Sequence, residues 1–427
     1  MGFTRWRVAA ALALSLAATG AHATNGMRMS AFGPVQEGMG GVGVGATLDS
    51  AALVTNPAGL ATLDRRLDLG GTFFKPTVSY QATGISPGFV ANDGANQKSD
   101  RGPSFIPALG LVVPLGGGFT AGIGAYGTAG MGVDYPTNLY YGVTYTSYQQ
   151  LRVTPAIAYR FGDVASVGVT FNAMWAQMKY DVASGVGQVA HDTANSFGAG
   201  ATIGVQVTPV KTVTLGAAYE TKSRFQDFSF DVPAHTLPST LPPPYGGMTM
   251  PAGTDKLSFD QPSSFTLGAG VTPIDGLLLA ADVQWIRWSE TNGANQPVLT
   301  STTGAMPFNL DWTDQWVFKI GAQWEASRMF TIRAGYDYGK SPLNPNRAFE
   351  NIAFPAVAEQ HFALGLGIRA TPALSVELAA MYSPEAKLSG ANAGVPAMMG
   401  GTGGQGIQAY QTKMSQVVAD AGLTYRF

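Results

Sequence analysis

Apolar and polar residues alternate along most of this chain. In residues 374–382, LSVELAAMY, Leu374, Val376, Leu378, Ala380 and Tyr382 share one face, while Ser375, Glu377, Ala379 and Met381 share the other. Residues 329–338, MFTIRAGYDY, and 361–369, HFALGLGIR, repeat the pattern. A period of two belongs to a strand, not to a helix. No stretch approaches the ~18 consecutive apolar residues of a spanning helix, and the mean hydropathy of +0.08 is too low for a bundle of such helices. Length alone, 427 residues, would allow two or three soluble domains. Composition argues otherwise: charged residues are 12%, about half the usual share. Charge-poor, two-faced strands, with 55 glycines and 11% aromatics, suit an antiparallel transmembrane β-barrel of the outer-membrane kind, which is apolar towards lipid on one face only.

The connections alternate in length. Short ones are expected near 116–118, 162–164, 208–211, 272–276, 325–328 and 370–373. Long ones, rich in Gly, Pro, Asn and Ser, are expected near 82–101, 133–145, 183–195, 231–255, 291–310, 342–356 and 389–410. Six short turns and seven long loops make thirteen connections, hence fourteen strands over 67–427, with both barrel ends on the short-turn, periplasmic side. Tyr159, Phe161, Trp324, Phe330, Tyr425 and Phe427 are expected at that rim. Trp175, Trp285, Trp312, Trp316, Tyr336, Tyr338 and Tyr382 are expected at the other, since aromatic rings prefer the headgroup level. The ending Ala421-Gly-Leu-Thr-Tyr-Arg-Phe427 alternates outward to a terminal phenylalanine. It resembles the last strand of outer-membrane barrels generally, which the barrel assembly machinery reads.

The start reads as an export signal. Arg5 and Arg7 give a positive n-region, Val8–Ala18 an apolar h-region, and Ala21-His22-Ala23 an A-x-A cleavage site. Residues 1–23 are therefore expected to be a signal peptide for the general secretory route. Loss of two arginines leaves 25 − 2 = 23 basic against 27 acidic residues. No basic patch points to nucleic acid. There is no cysteine, so neither a disulfide nor a thiolate metal site is possible. His22, His191, His235 and His361 show no spacing for zinc or for a Ser–His pair. No cofactor and no enzymatic activity are expected.

By strand parity the lumen carries Arg152, Arg160, Lys319, Arg333, Arg369 and Arg426 against Glu220, Asp282, Glu325, Asp337, Glu377 and Asp420. A charge-selective porin shows an excess of one sign. Six against six implies neutralised cross-strand pairs and a filled interior. Residues 24–66 do not alternate; they are small, glycine-rich and apolar. A fourteen-stranded barrel would otherwise enclose a channel, so this segment is expected to plug it. It holds G38-M-G40-G-V-G43, the shape of a dinucleotide loop, and G41-V-G-V-G45, the shape of a membrane-helix contact. Neither reading survives its context: no strand or βαβ unit surrounds the first, and no apolar 20-mer holds the second.

Thr24-Asn25-Gly26, the Gly38–Gly45 run, Asp49 and Asn56-Pro57-Ala58-Gly59 look like the hatch of the FadL family, outer-membrane transporters of long-chain fatty acids and related hydrophobic compounds. The resemblance implies a monomeric, 14-stranded barrel with an N-terminal hatch in the Gram-negative outer membrane. Its implied function is passive uptake of a hydrophobic small molecule, with lateral release through a kink in the third strand into the outer-membrane lipid, past lipopolysaccharide. Fatty acids come first as cargo, aromatic hydrocarbons next, and a general porin for polar solutes is the contrasting alternative. Phe32, Asn56, Pro57 and Ala58 are the candidate gating or substrate-contacting residues of the hatch. Gly122, Gly124 and Gly127, in the glycine-rich run 116–132, are candidates for the kink; close packing of the hatch against a smooth wall is the competing reading. Leu237, Leu241, Tyr245, Met248 and Met250 would make a greasy entrance loop.

Overall fold

The computed structural model describes residues 25–84, 92–136, 143–184, 187–236, 247–294, 296–301, 309–390 and 407–427; for 182–184, 187–189 and 301 it describes the backbone alone. Residues 1–23, Leu237, Leu241 and Tyr245 lie outside the described residues.

Fourteen strands form the wall. They are β1 Arg66–Gly84, β2 Ser104–Gly116, β3 Phe119–Tyr135, β4 Thr144–Phe161, β5 Ala165–Ser184, β6 Gly187–Val210 and β7 Val213–Glu220. They continue as β8 Ser264–Ile274, β9 Leu277–Ile286, β10 Gln315–Glu325, β11 Phe330–Gly339, β12 Gln360–Arg369, β13 Leu374–Gly390 and β14 Ile407–Arg426. Each pairs antiparallel with its sequence neighbours, and β1 closes the ring by pairing with both β14 and β2. Closure leaves no open sheet edge, the one way a β-sheet can sit in lipid. The alternation does what its period demands: on β10, Trp316, Phe318 and Ile320 are exposed, whereas Gln315, Val317 and Lys319 are buried. On β13, Ser375, Glu377, Ala379 and Met381 are the buried face, as the sequence pattern predicts. The β2–β3 turn is tight because Gly116, Gly117 and Gly118 all hold positive φ (87°, 60° and 86°), which only glycine adopts cheaply.

Some expectations are corrected. The long loop predicted at 183–195 is mostly strand. β5 runs to Ser184 and β6 starts at Gly187, and the two pair from Ser184↔Gly187 to Ala165↔Val207 with one register shift between Met178 and Tyr180. Trp312 is not a rim residue: it is fully buried and packs edge-on against Trp288, 4.9 Å between ring centroids. Of the predicted lumen charges, Arg160 pairs with Asp163 on the exposed short-turn rim, and Glu325 and Arg369 are exposed.

Residues 25–65 lie against the inner faces of the strands. α1 (Pro34–Gly38) packs on β11–β14, and α2 (Ala52–Thr55) with the 3₁₀ turn Pro57–Thr62 packs on β3–β6. Towards the long-loop end, inward side chains and folded-back loops form one large apolar cluster, including Tyr148, Phe228, Phe259, Trp288, Trp312 and Phe354.

Candidate functional site

The glycine run adopts the geometry of an anion cradle. Gly43 and Val44 donate their N–H groups to Asp282 Oδ2 at 2.8 and 3.0 Å, and Gly45 donates to Oδ1 at 3.3 Å. Successive N–H groups around one carboxylate satisfy a buried charge without a counter-ion. Asp282 projects from β9, so the loop is fastened to the wall. Gly40 and Gly41, at φ 66° and 78°, turn the chain so closely that a Cβ on Gly40 would run into the β11 backbone at Tyr336. The sequence resembles a phosphate loop for a physical reason, and the anion it holds is the barrel's own.

Asn56 is fully buried. Its Oδ1 accepts the N–H of Ala58 (3.1 Å), capping the 3₁₀ turn that Pro57 begins, while Nδ2 donates to Val44 O (2.9 Å) and Val205 O (3.1 Å). The turn sits in notches cut by missing side chains, since a Cβ on Gly204 or Gly168 would strike Asn56 or Pro57. Asn56→Ala strands three buried polar groups and should cost about 2–4 kcal/mol of hatch docking. Hydrogen exchange at residues 56–62 reads this out; unchanged protection would show that the contacts are replaceable.

Asp49, beside α2, is buried. Its Oδ1 accepts the Ala51 N–H at 3.1 Å. Burial, with Asp68 adding repulsion and Arg66 opposing it, pushes its carboxyl up to about 7. A folded-state value above the ordinary ~3.9 means that the native form holds the proton longer. The contribution to stability is then full below about pH 4 and is lost as pH rises through about 7. Thermal melts of wild type and Asp49→Asn across that window should diverge, the variant losing less stability with rising pH; parallel curves would refute the assignment.

Among the described residues the wall is interrupted between β2 and β3. β2 and β3 pair from Gly116↔Phe119 only as far as Ala108↔Tyr126. Beyond that, β3 keeps its partner β4, with a register shift between Gly127 and Ala129. Its other edge is taken up from inside the barrel. Met29 N–H donates to Thr128 O and Gly130 N–H to Met27 O, both at 3.0 Å, around the bridge Arg28↔Ala129. Higher up, Asp100 N–H donates to Asp134 O at 2.7 Å. Of the three glycines proposed for the kink, Gly122 and Gly124 lie in the regular ladder and receive Leu53 of the hatch, so close packing describes them better. Gly127 stands at the interruption, its missing side chain replaced by Ile106.

Arg28 fastens this inner strand. Its guanidinium and that of Arg152 on β4 both bind the carboxylate of Glu220 on β7. All three side chains are at least nine-tenths buried. Lys319 pairs with Asp337 at 3.7 Å and donates to Ser30 O at 2.6 Å. His361, which seemed isolated in sequence, donates its Nδ1–H to Asp337 Oδ1, 3.2 Å away. Arg333 pairs with Glu377 at 2.7 Å. Three of the six predicted lumen cations, Arg152, Lys319 and Arg333, are thus paired inside the barrel, and the Arg152–Glu220 pair spans non-adjacent strands and recruits a hatch residue. That link was invisible in the sequence.

Phe32 borders two small cavities and meets Tyr126 edge-on at 6.3 Å. The larger cavity, about 50 Å³, lies between hatch and wall among Arg28, Glu220, Asp282 and Lys319. A benzene-sized guest needs about 150 Å³, so this cavity is too small for one. Met248 and Met250 are not gathered with the other candidates. Met248 is exposed and Met250 half-buried, in a short ladder pairing 235–236 with 249–250. Among the described residues no cluster of three or more metal-ligating side chains occurs.

The chain matches, over residues 11–427, the sequence model of a family described as "Outer membrane protein transport protein (OMPP1/FadL/TodX)". No curated protein matches it. Among crystal structures it is similar to the P. putida toluene transporter TodX, at 17% identity over 93% of this chain and 99% of that one, TM-score 0.74. It is similar to a Pseudomonas aeruginosa FadL homologue, at 19% identity over 94% and 100%, TM-score 0.76. It is also similar to the Ralstonia pickettii toluene transporter TbuX, at 19% identity over 93% and 99%, TM-score 0.68. At such identities the likeness shows the fold.

Proposed function

We infer function from membership: the chain belongs to the FadL/TodX family of outer-membrane transport proteins, which are channels for hydrophobic substrates and not enzymes. We propose that the apolar cluster under the long loops parts to form a chamber, that cargo enters it from the long-loop, extracellular side, and that cargo leaves sideways between β2 and β3. The carrying observation is the interrupted wall: pairing stops at Ala108↔Tyr126, and hatch residues 27–29 occupy the vacated edge of β3. Withdrawal of those residues joins the chamber to lipid. The energetics favour this route, since each CH₂ removed from water gains about 0.8 kcal/mol. An aqueous exit would be uphill, whereas a greasy chamber followed by hydrocarbon is not. Asn56, Pro57, Ala58 and Phe32 act as gating contacts in this scheme, with Gly127 at the opening.

Neutral aromatic hydrocarbons are the better-supported cargo. The buried cations of the lumen are engaged, Arg28 and Arg152 by Glu220, Lys319 by Asp337 and Arg333 by Glu377, which leaves a carboxylate poorly served. Two of the similar structures are toluene transporters. Long-chain fatty acids are the second reading, favoured by the adaptable Met174, Met178 and Met414 of the chamber. The leader-like start and the outward alternation ending at Phe427 support export by the general secretory route and insertion by the assembly machinery. A deletion strain should lose uptake of labelled toluene, and less of oleate, with small-sugar uptake intact. Loss of sugar uptake alone would overturn the proposal.

A further inference from the structure

Among the described residues, three hydroxyl groups in one corner of the large apolar cluster have no hydrogen-bond partner: those of Tyr80 on β1, Tyr135 on β3 and Thr146 on β4, which are 1%, 1% and 0% exposed. They lie side by side. The Tyr80 and Tyr135 rings meet edge-on with centroids 4.8 Å apart. Thr146 is diagonal to Tyr135 on the inner face, because Tyr135 pairs with Thr144. Tyr410 of β14 stacks on Tyr80 at 5.8 Å, and Phe349, from the loop after β11, rests edge-on against Tyr410 at 5.8 Å. An aromatic ring from a loop is thus housed against Tyr410, one ring away from Tyr80.

Phenylalanine and valine would fill the same shapes without burying a polar atom. A buried hydroxyl left unpaired is among the costlier features a core can hold. Here several occur together, further along β3 than the place where it parts from β2. Among the described residues no ion pair reaches them, so a charged guest would find no counter-charge there. What they lack is a hydrogen-bonding oxygen on an otherwise apolar molecule.

We propose that Tyr80, Tyr135 and Thr146 form a binding site for the oxygen of an uncharged, oxygenated hydrophobe, such as a phenol, an alcohol or a ketone, held in the chamber before it exits. This rests on the reading of the chamber as the cargo site. The guest's ring takes the aromatic slot now filled by Phe349, and its oxygen exchanges hydrogen bonds with the phenols. The site would make the protein prefer oxygenated aromatics to the parent hydrocarbons.

The matched probes p-cresol and toluene differ by one hydroxyl, and a phenol stays uncharged at pH 7 because its pKa is near 10. Binding to the purified full-length barrel is followed by the fluorescence of Trp288 and Trp312, which belong to the same cluster, against empty micelles as the partition control. Wild type should bind p-cresol about tenfold more tightly than toluene. Tyr80→Phe with Tyr135→Phe should abolish that preference while toluene affinity stays within about twofold, since the rings remain. Thr146→Val is the second variant and should reduce the preference partly. Heat-modifiable gel mobility confirms folding. Equal affinity of wild type for both probes, or a preference that survives the double variant and Thr146→Val, overturns the proposal while leaving hydrophobic uptake intact. Failure of toluene as well as p-cresol to bind wild type overturns both.

Discussion

Glu220→Ala should release the N-terminal segment from the barrel. Glu220 is the acid to which both Arg28 and Arg152 are bound, and its removal leaves two guanidiniums buried without a counter-charge. Breaking a buried pair from one side costs about 3–5 kcal/mol, mostly the desolvation of what remains. Here the residue lost serves two partners. Arg152 cannot escape to water, being 1% exposed in the wall. Arg28 can, because it belongs to a short strand held to β3 by two hydrogen bonds. The cheapest relaxation is therefore for residues 25–30 to leave. Hydrogen exchange should show protection lost at Met29 and Gly130 while the β10–β13 ladder keeps its own. The single variants rank the effect. Arg28→Ala leaves a plain one-to-one pair between Arg152 and Glu220 and should be mild for stability. Arg152→Ala leaves Arg28 with Glu220 and should keep the segment docked. If Glu220→Ala melts and exchanges like wild type, the triad is not what holds the segment.

Much of the fold was legible because a barrel strand writes its environment into every second residue. The parity read at 374–382 is the parity of β13, down to buried Glu377 and exposed Tyr382. Turns were legible where a backbone conformation demanded one residue type, as at Gly116–Gly118. The loop predicted at 183–195 failed for the complementary reason. Its glycines and polar residues read as a connection, but pairing along β5 overrides local preference, as cross-strand context often does for strands. The site was legible only in part. Asn56-Pro57-Ala58 stood out as part of the hatch, while the cap that Asn56 makes on the following turn is visible only in the fold. Nothing local, however, says which inward carboxylate the Gly43–Gly45 amides face, and Asp282 is 239 residues from Gly43. The same holds for Arg152 and Glu220, 68 residues apart on strands that do not touch. Trp288 and Trp312 come from a connection with no period to read, so their burial depends wholly on how the loop folds back. Gly122 and Gly124 show the limit of composition: glycine in a strand marks either a bend or a close approach, and only the position of Leu53 separates the two.

A covalent latch would decide whether hatch residues 27–29 must leave β3 for transport. Arg28 and Ala129 face each other as a non-hydrogen-bonded antiparallel pair, since the bonds run from Met29 to Thr128 and from Gly130 to Met27 on either side. Such pairs place their Cα atoms about 4.5 Å apart, inside the range of about 4.4–6.8 Å that a disulfide spans. The chain contains no cysteine, so Arg28→Cys with Ala129→Cys can make one intramolecular bond only, and an oxidising periplasm would form it unaided. With the bond closed, toluene uptake should fall to that of the deletion strain. Reduction should restore it to the level of Arg28→Ala, which carries the same loss of the Glu220 contact. The cross-linked protein should still bind toluene, because the chamber above is untouched. That combination, cargo bound but not delivered, is specific to a closed exit and differs from a damaged chamber, which would lose binding as well. If the fully cross-linked barrel imports toluene as fast as the reduced one, the exit is not at this edge of β3, and the pairing of residues 27–29 with the wall is a fixed part of the fold.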